Sequence, residues 1–253
     1  TAPEGSEFVF FSSDQPFFDF QTSPGAPGLN NDPTIAVIAG EPIGQIWGLN
    51  YEGVDDNGDF IFTDLDGDGV IDASPGNSPD KSVIGNGLPS FSLSLMNTFT
   101  YGDFDMSFFL RGDFGHDLAN MYRVFYEPNQ DSRTMENIVK TEYYDANLTA
   151  APQFSSHYVE NASYMVLDNL TLGYRFKTSE ESGVSGVRVY FTGRNLFWIT
   201  NYTGANPQPS YNDTGATDNG SVSFRNDALA PGIYRRSQYF TTRSFTFGLN
   251  LDF

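Results

Sequence analysis

The stretch that most restricts how this chain can fold is its last eleven residues, Arg243 to Phe253. Phe245, Phe247, Leu249, Leu251 and Phe253 alternate with Ser244, Thr246, Gly248, Asn250 and Asp252. Side chains alternate faces with period two in an extended chain, so one face is wholly apolar and the other small and polar. A strand that crosses an outer membrane needs about 9–11 tilted residues with this two-faced pattern. The same pattern also suits a half-buried strand of a soluble sandwich. The rest of the chain has to decide between them.

Upstream, Phe91, Leu93, Leu95, Phe99 and Tyr101 alternate with Ser92, Ser94, Met96, Thr98 and Thr100. After Gly102-Asp103 the pattern resumes, with Phe104, Met106, Phe108, Leu110 and Phe114 against Asp105, Ser107, Phe109, Arg111 and Asp113. A two-residue Gly-X link has the twist that joins paired strands, so a hairpin is predicted. A further strand is expected over Tyr164 to Phe176, with Tyr164, Val166, Leu170, Leu172, Tyr174 and Phe176 on one side. After the short polar link from Lys177 to Gly186 comes another, Val187 to Thr200, where Val187, Val189 and Phe191 oppose Arg188, Tyr190, Thr192 and Arg194.

The connections alternate short and long, as they do in bacterial outer-membrane barrels, which turn tightly at the periplasm and loop out at the surface. The long segments 53–90, 115–162 and 201–242 are therefore expected outside the cell. His116 to Glu127 and Ser132 to Asn147 carry apolar residues every three or four positions, which predicts short helices within them. Residues 1–45, broken by Pro3, Pro16, Pro24, Pro27 and Pro33, read as an irregular loop and strand region. Thr34 to Ala39 and Gln45 to Glu52 are candidate strands there, and residues 46–253 are assigned to barrel strands and surface loops. The predicted class is all-β, a transmembrane antiparallel β-barrel segment with long extracellular loops carrying short helices.

Composition agrees with that class. No run approaches the roughly 18 apolar residues of a membrane helix, yet aromatics reach 16%, with 24 Phe and 14 Tyr. A mean hydropathy of -0.36 does not oppose a barrel, whose strands are apolar only at alternate positions. The net charge of -19 argues against a nucleic-acid partner, since no basic patch answers phosphate. It suits solvated loops and divalent cations. With no cysteine, neither disulfides nor thiolate metal sites arise. No initiating Met precedes Thr1, so a mature, processed or partial chain is expected.

The sharpest candidate site is Asp64-Leu-Asp-Gly-Asp-Gly-Val-Ile-Asp72. Calcium takes six to eight oxygens, and carboxylates at the first, third and fifth positions of a tight loop can converge on one ion. That assigns Asp64, Asp66 and Asp68, with Gly69 for the sharp turn, the Val70 carbonyl as a further donor and Asp72 after it. Pro75 stands where an EF-hand has its bidentate Glu, so the loop is not an EF-hand, and Asp80 or water would complete the shell. Four carboxylates this close repel one another without a cation. Catalysis finds no comparable support. His116 and His157 lie in separate long segments with no nucleophile motif beside either, and no phosphate-binding glycine loop occurs. The aromatic loop residues Tyr202, Tyr211, Phe224, Tyr234, Tyr239 and Phe240 suit stacking on sugars or packing on a partner. Ordinary loop packing is the simpler expectation for each. Arg235-Arg236 is a weak candidate for lipid phosphate.

Several phrases resemble one family in order and spacing. They are Gly40-Glu-Pro-Ile-Gly, the acidic loop from Asp64 to Asp72, and Ile84-Gly-Asn-Gly-Leu-Pro-Ser-Phe91. Ala162 to Tyr174, Arg194-Asn-Leu-Phe-Trp-Ile-Thr-Asn-Tyr-Thr-Gly204 and the closing strand follow. Over residues 40–253 the chain resembles the C-terminal barrel portion of SusC/RagA-like TonB-dependent transporters of Bacteroidetes. The resemblance implies a 22-stranded plugged barrel, a SusD-like surface lipoprotein as its lid, energy from the TonB complex, and import of oligosaccharides or peptides. About six spanning strands are legible here, fewer than the eight of the smallest bacterial barrels. A plug and a TonB-contacting segment are not found, so other polypeptide must complete the barrel, and no enzyme activity is expected. Two other classes compete with this reading. One is a secreted calcium-stabilised carbohydrate-binding β-sandwich, whose apolar strand faces a second sheet would cover. The other is a surface enzyme with carboxylates gathered in a cleft.

Overall fold

The computed structural model describes residues 17–20, 33–38, 41–127, 148, 153–178, 183–209, 231–234 and 240–253. The expected helix over Ser132 to Asn147 lies outside them, as do Tyr211, Phe224, Tyr239 and the Arg235-Arg236 pair. In chain order the strands begin β1 (Phe17–Phe20), β2 (Ile35–Ile38), β3 (Gln45–Leu49), β4 (Tyr51–Val54), β5 (Phe60–Phe62) and β6 (Lys81–Asn86). The long hairpin β7 (Phe91–Tyr101) and β8 (Phe104–Phe114) follows, then β9 (Asp117–Asn120) and helix α1 (Met121–Tyr126). A 3-10 turn, Ser156–Tyr158, leads into β10 (Val159–Asn161) and β11 (Tyr164–Lys177). The remaining strands are β12 (Gly186–Arg194), β13 (Trp198–Thr200), β14 (Ile233–Tyr234) and β15 (Ser244–Asp252). No described helix is long and apolar enough to cross a membrane, which bears on helices alone.

The chain forms two units. One gathers residues 1–88, 117–160 and 209–236. Within it β1-β2-β3-β6 form one sheet, β10-β9-β14 a second, and β4-β5 a separate pair. The two candidate strands upstream are present as β2 and as β3 with β4. Ile35, Ile46, Ala119, Met121, Val124, Phe154, Tyr158 and Ile233 make its core. The helix expected over His116 to Glu127 is half strand. Asp117–Asn120 pairs with β10 and, in parallel, with β14, and only Met121–Tyr126 is helical. Asn120 marks the switch, its side-chain oxygen capping the Arg123 N–H.

The other unit, residues 89–116, 161–208 and 237–253, is a wall of long antiparallel strands in the order β15-β12-β11-β8-β7, with β13 also paired to β11. Gly102 takes a φ of 60° in the two-residue turn of the predicted hairpin, and the register runs unbroken from Tyr101 opposite Phe104 to Phe91 opposite Phe114. The β12–β15 register puts Val187, Val189 and Phe191 opposite Leu251, Leu249 and Phe247. The two apolar faces are therefore one surface. Among the described residues of this unit nothing covers that surface: Leu93, Phe247 and Leu249 are 61%, 78% and 57% exposed. A sandwich would have buried it beneath a second sheet.

One strand departs from plain alternation. A β-bulge between Leu167 and Asn169 shifts the register of β11 against β8. One extra residue reverses the parity of everything before it. Tyr164 and Val166, expected beside Leu170 and Leu172, instead share the polar face with Asp113 and Arg111 and are buried. Met165 takes the apolar side and is 37% exposed. The expected strand that follows the short polar link is also broken. Val187 to Thr200 becomes β12 and β13, separated at Asn195, whose φ of 52° is left-handed.

Candidate functional site

The polar face of the wall carries a connected set of charges. Arg111 on β8 donates from Nε to Asp168 Oδ2 at 2.5 Å and from Nη1 to the Tyr164 hydroxyl at 2.9 Å. Tyr164 in turn donates to Asp113 Oδ2 at 2.5 Å, and Ser92 on β7 donates to Asp113 Oδ1 at 2.5 Å. With its amide oxygen turned to Arg111, Gln208 accepts from Nη1 and Nη2 at 2.7 and 2.8 Å. The bulge that shifts β11 therefore sits at the residue that meets Arg111. Further along, Arg188 on β12 holds Asp105 on β8 with Nε and Nη2, at 2.8 and 2.5 Å. That fork crosses β11 at Gly173, where a Cβ would lie 2.4 Å from Arg188 Nη2 and 2.5 Å from Asp105 Oδ1. Gly248 plays the matching part on β15, since a Cβ there would lie 2.1 Å from the Tyr190 ring. Alternation places Arg111, Asp113, Asp105 and Arg188 on the polar side, but their pairing depends on strand order and on the bulge.

The acidic loop lies in the other unit. Ligand oxygens of Asp64, Asp66 and Asp68 fall within 4.8 Å of one another. The loop is built from short backbone turns: Asp64 accepts from the Gly67 and Gly69 N–H groups at 2.7 and 2.8 Å, and Asp68 accepts from Val70 N–H at 2.8 Å. Gly67 and Gly69 have φ of 76° and 84°, which only glycine adopts freely. Those N–H groups, Gly69 first, hold the Asp64 carboxyl below the usual range. Asp66 goes the other way. The Asp68 N–H pulls it down, but desolvation and the charges of Asp68, Asp80 and Asp64 outweigh that and raise it. Asp72 stands outside the triplet and accepts from Ser74 N–H at 2.9 Å. Asp80, entertained as an added ligand, is buried and receives the Leu65 and Asp72 N–H groups at 2.8 and 2.6 Å. It shapes the loop from within.

A third cluster was not foreseen. Arg123 on α1 donates to Glu127 Oε2 at 2.8 Å and to Glu160 Oε1 at 3.2 Å, and His157 Nε2 stands 2.8 Å from Glu127 Oε1. The same His157 nitrogen lies 3.1 Å from Arg123 Nη2, so it stands between the guanidinium and the carboxylate. Tyr51, Phe60 and Tyr158 rings enclose the imidazole at 4.6, 5.3 and 4.6 Å. Burial pushes the Glu127 carboxyl up, but the hydrogen bonds from His157 and Arg123 outweigh it and leave it lowered. The i,i+4 spacing of Arg123 and Glu127 was the one visible signal, and such pairs are ordinarily exposed. His116 is elsewhere, buried, with Nε2 2.9 Å from the Pro207 carbonyl oxygen. Each histidine holds chain segments together.

A wall of 9- to 14-residue antiparallel strands, bare and apolar on one face and ionic on the other, defines a membrane β-barrel segment. Comparison with known proteins names the kind. No family model matches the chain. It is 30% identical over 239 residues to TonB-dependent receptor P3 of Formosa agariphila, covering 85% of this chain and 22% of that protein. With TonB-dependent receptor SusC of Bacteroides thetaiotaomicron the identity is 30% over 170 residues, 61% of this chain and 16% of that one. Among solved structures, the RagAB peptide importer in its closed-closed state superposes with a TM-score of 0.63 at 18% identity, over 94% of this chain and 25% of that one. The chain thus spans about a fifth of the length of the relatives it matches. It matches a barrel portion of SusC/RagA-type TonB-dependent receptors, and its place is the bacterial outer membrane.

Proposed function

We propose that this chain is wall and surface loop of an importer of oligosaccharides or peptides. The wall carries the reading, because its bare apolar face needs lipid and its ionic face needs a hydrated or protein-filled lumen. The likeness to SusC and to the RagAB peptide importer supports the substrate class. A SusD-like lipoprotein closes the barrel from outside, and a TonB-driven plug contributed by polypeptide beyond this chain admits the substrate. The chain's own part is to shape the lumen and anchor the loops, without bond-making chemistry. The test is detergent extraction of the receptor containing this chain, peptide mapping of what co-purifies, and uptake of labelled oligopeptides and oligosaccharides by cells with and without it. Loss of neither uptake, or a chain soluble without detergent, overturns the proposal.

The acidic loop is the place for calcium. Three converging carboxylates suit a hard cation, and their oxygens lie within 4.8 Å of one another. Asp64, Asp66 and Asp68 would hold the ion, with the Val70 carbonyl, Asp72 and water as the remaining oxygens, and the ion would stiffen the surface segment 53–90. Limited proteolysis with and without chelator tests this, since equal cleavage in both excludes a structural ion.

A further inference from the structure

Two residues on the polar face of the wall are buried far more deeply than others beside them. Tyr164 and Val166 are 1% and 0% exposed, whereas Met96 on the same face is 73% exposed. The chain that leaves β12 supplies cover. Trp198 pairs with Val166, and its ring lies 5.2 Å from that of Tyr164. The Thr200 hydroxyl then donates to the Ser163 carbonyl oxygen at 2.9 Å and accepts the Tyr202 N–H at 3.1 Å, which starts a reversal. Gly204 closes against the Tyr202 ring, where a Cβ would lie 2.5 Å away. The chain returns as Pro207 and Gln208. The Pro207 carbonyl oxygen lies 2.9 Å from His116 Nε2, and the Gln208 amide oxygen spans both Nη atoms of Arg111. Residues 201–208 are thus a tongue folded back over the polar face.

Place and chemistry give the tongue a task. Arg111 lies toward the end of β8 remote from Gly102-Asp103, the end at the cell surface in a barrel whose short turns are periplasmic. The tongue therefore stands inside the outer mouth of the lumen. From Asn195 to Gln208 it carries no charged residue, in a chain with 13 basic and 32 acidic ones. The wall beside it is ionic. Arg111 and Asp168 side chains are each 29% exposed, and Gln208 sets a neutral amide on the open edge of the guanidinium. Asn206 accepts the Gln208 N–H at 3.0 Å and so steadies that amide. Both residues are only partly buried, so a passing chain meets amides where the bare wall would offer ions. Amides bond a neutral backbone or a hydroxyl, whereas an ion brought there must shed water without gaining an opposite charge.

We propose that this tongue is a specificity element of the import path, positioned by Arg111 through Gln208, and that it selects uncharged, hydrogen-bonding cargo. The proposal rests on the importer reading of the wall. Host cells carrying the complete receptor are given a casein digest together with starch and pectin hydrolysates. Depletion of each fragment from the medium is followed by mass spectrometry, with cells lacking the receptor as reference. The wild type should deplete uncharged fragments ahead of charged ones of the same length. Gln208→Glu and Asn206→Asp keep the acceptors that hold the tongue but add a negative charge. Each should raise the ratio of cationic to anionic fragments taken up at least threefold, a change that a merely structural role would not produce. Gln208→Ala removes the anchor and should erase the preference for uncharged fragments. An unchanged profile in both charge variants, at normal surface levels of receptor, overturns the proposal and leaves the tongue a packing element. A wild type that prefers charged fragments overturns it too. Absence of any receptor-dependent depletion fails at the earlier step, the importer reading, so the two failures are distinct.

Discussion

Glu127→Gln is the sharpest test of the buried cluster around α1. The substitution keeps the side chain's size and one acceptor but removes the charge that faces Arg123 at 2.8 Å and His157 at 2.8 Å. The Arg123, Glu127 and His157 side chains are 8%, 2% and 0% exposed, so water does not replace the lost partner. Breaking a buried pair from one side costs about 3–5 kcal/mol. Glu160, 3.2 Å from Arg123, keeps part of the compensation, which points to the lower figure. About 3 kcal/mol at about 1.4 kcal/mol per tenfold is roughly a hundredfold change in a local opening equilibrium. Amide hydrogen exchange of Leu118–Tyr126 and Ser155–Glu160 in the detergent-held receptor reads that equilibrium directly. The sign with pH follows from the lowered Glu127 carboxyl. Its stabilisation is complete above the ordinary glutamate range and is lost as pH falls through the lower folded value. Wild-type protection should thus decline in acid, and the variant should be low and flatter throughout. Protection within threefold of wild type at neutral pH would refute the claim that this ionic network holds the segment.

Three further substitutions test the wall and the acidic loop. Gly173→Val sets branched carbon where the Arg188–Asp105 fork passes, and should lower the temperature at which the barrel unfolds in gel-shift assays; an unchanged transition would mean the fork is not held across β11. Phe247→Arg places a charge on the bare face of β15, and about 2–4 kcal/mol of lost stability is expected if the position is near mid-bilayer, read by urea titration of refolding into vesicles. Asp64→Asn with Asp68→Asn should abolish any calcium-dependent protection of residues 53–90 from protease, whereas full calcium-dependent protection would show that the ion, if bound, is held elsewhere.

The wall was legible because its information is local. A period of two needs only the strand's own residues, and Gly102-Asp103 announces its turn within two positions, so strands, faces and alternating loop lengths all follow from short windows. What escaped was non-local in origin. The bulge at Asp168 leaves no mark in the sequence, because Tyr164, Val166, Leu170 and Leu172 have equal parity and look like one face. The Arg111–Asp168 contact across two strands belongs to the paired sheet and to no single window. His116 to Glu127 failed in the opposite direction. Leu118, Ala119, Met121, Val124 and Phe125 do return at helical spacing, but the four residues of β9 gain sheet partners from far along the chain, and that gain exceeds the small propensity differences a short helix offers. The acidic loop stands between these cases. Its Asp spacing brought Asp64, Asp66 and Asp68 together as read, while Asp80, in view as a ligand, turned inward because two backbone N–H groups needed an acceptor there. A carboxylate near a tight Asp/Gly turn thus has two competing employers, a cation and the turn's own amides. Asp64 accepts two of the turn's amides just as Asp80 does, so burial alone tells them apart: Asp80 is buried, while Asp64, Asp66 and Asp68 are at least partly exposed.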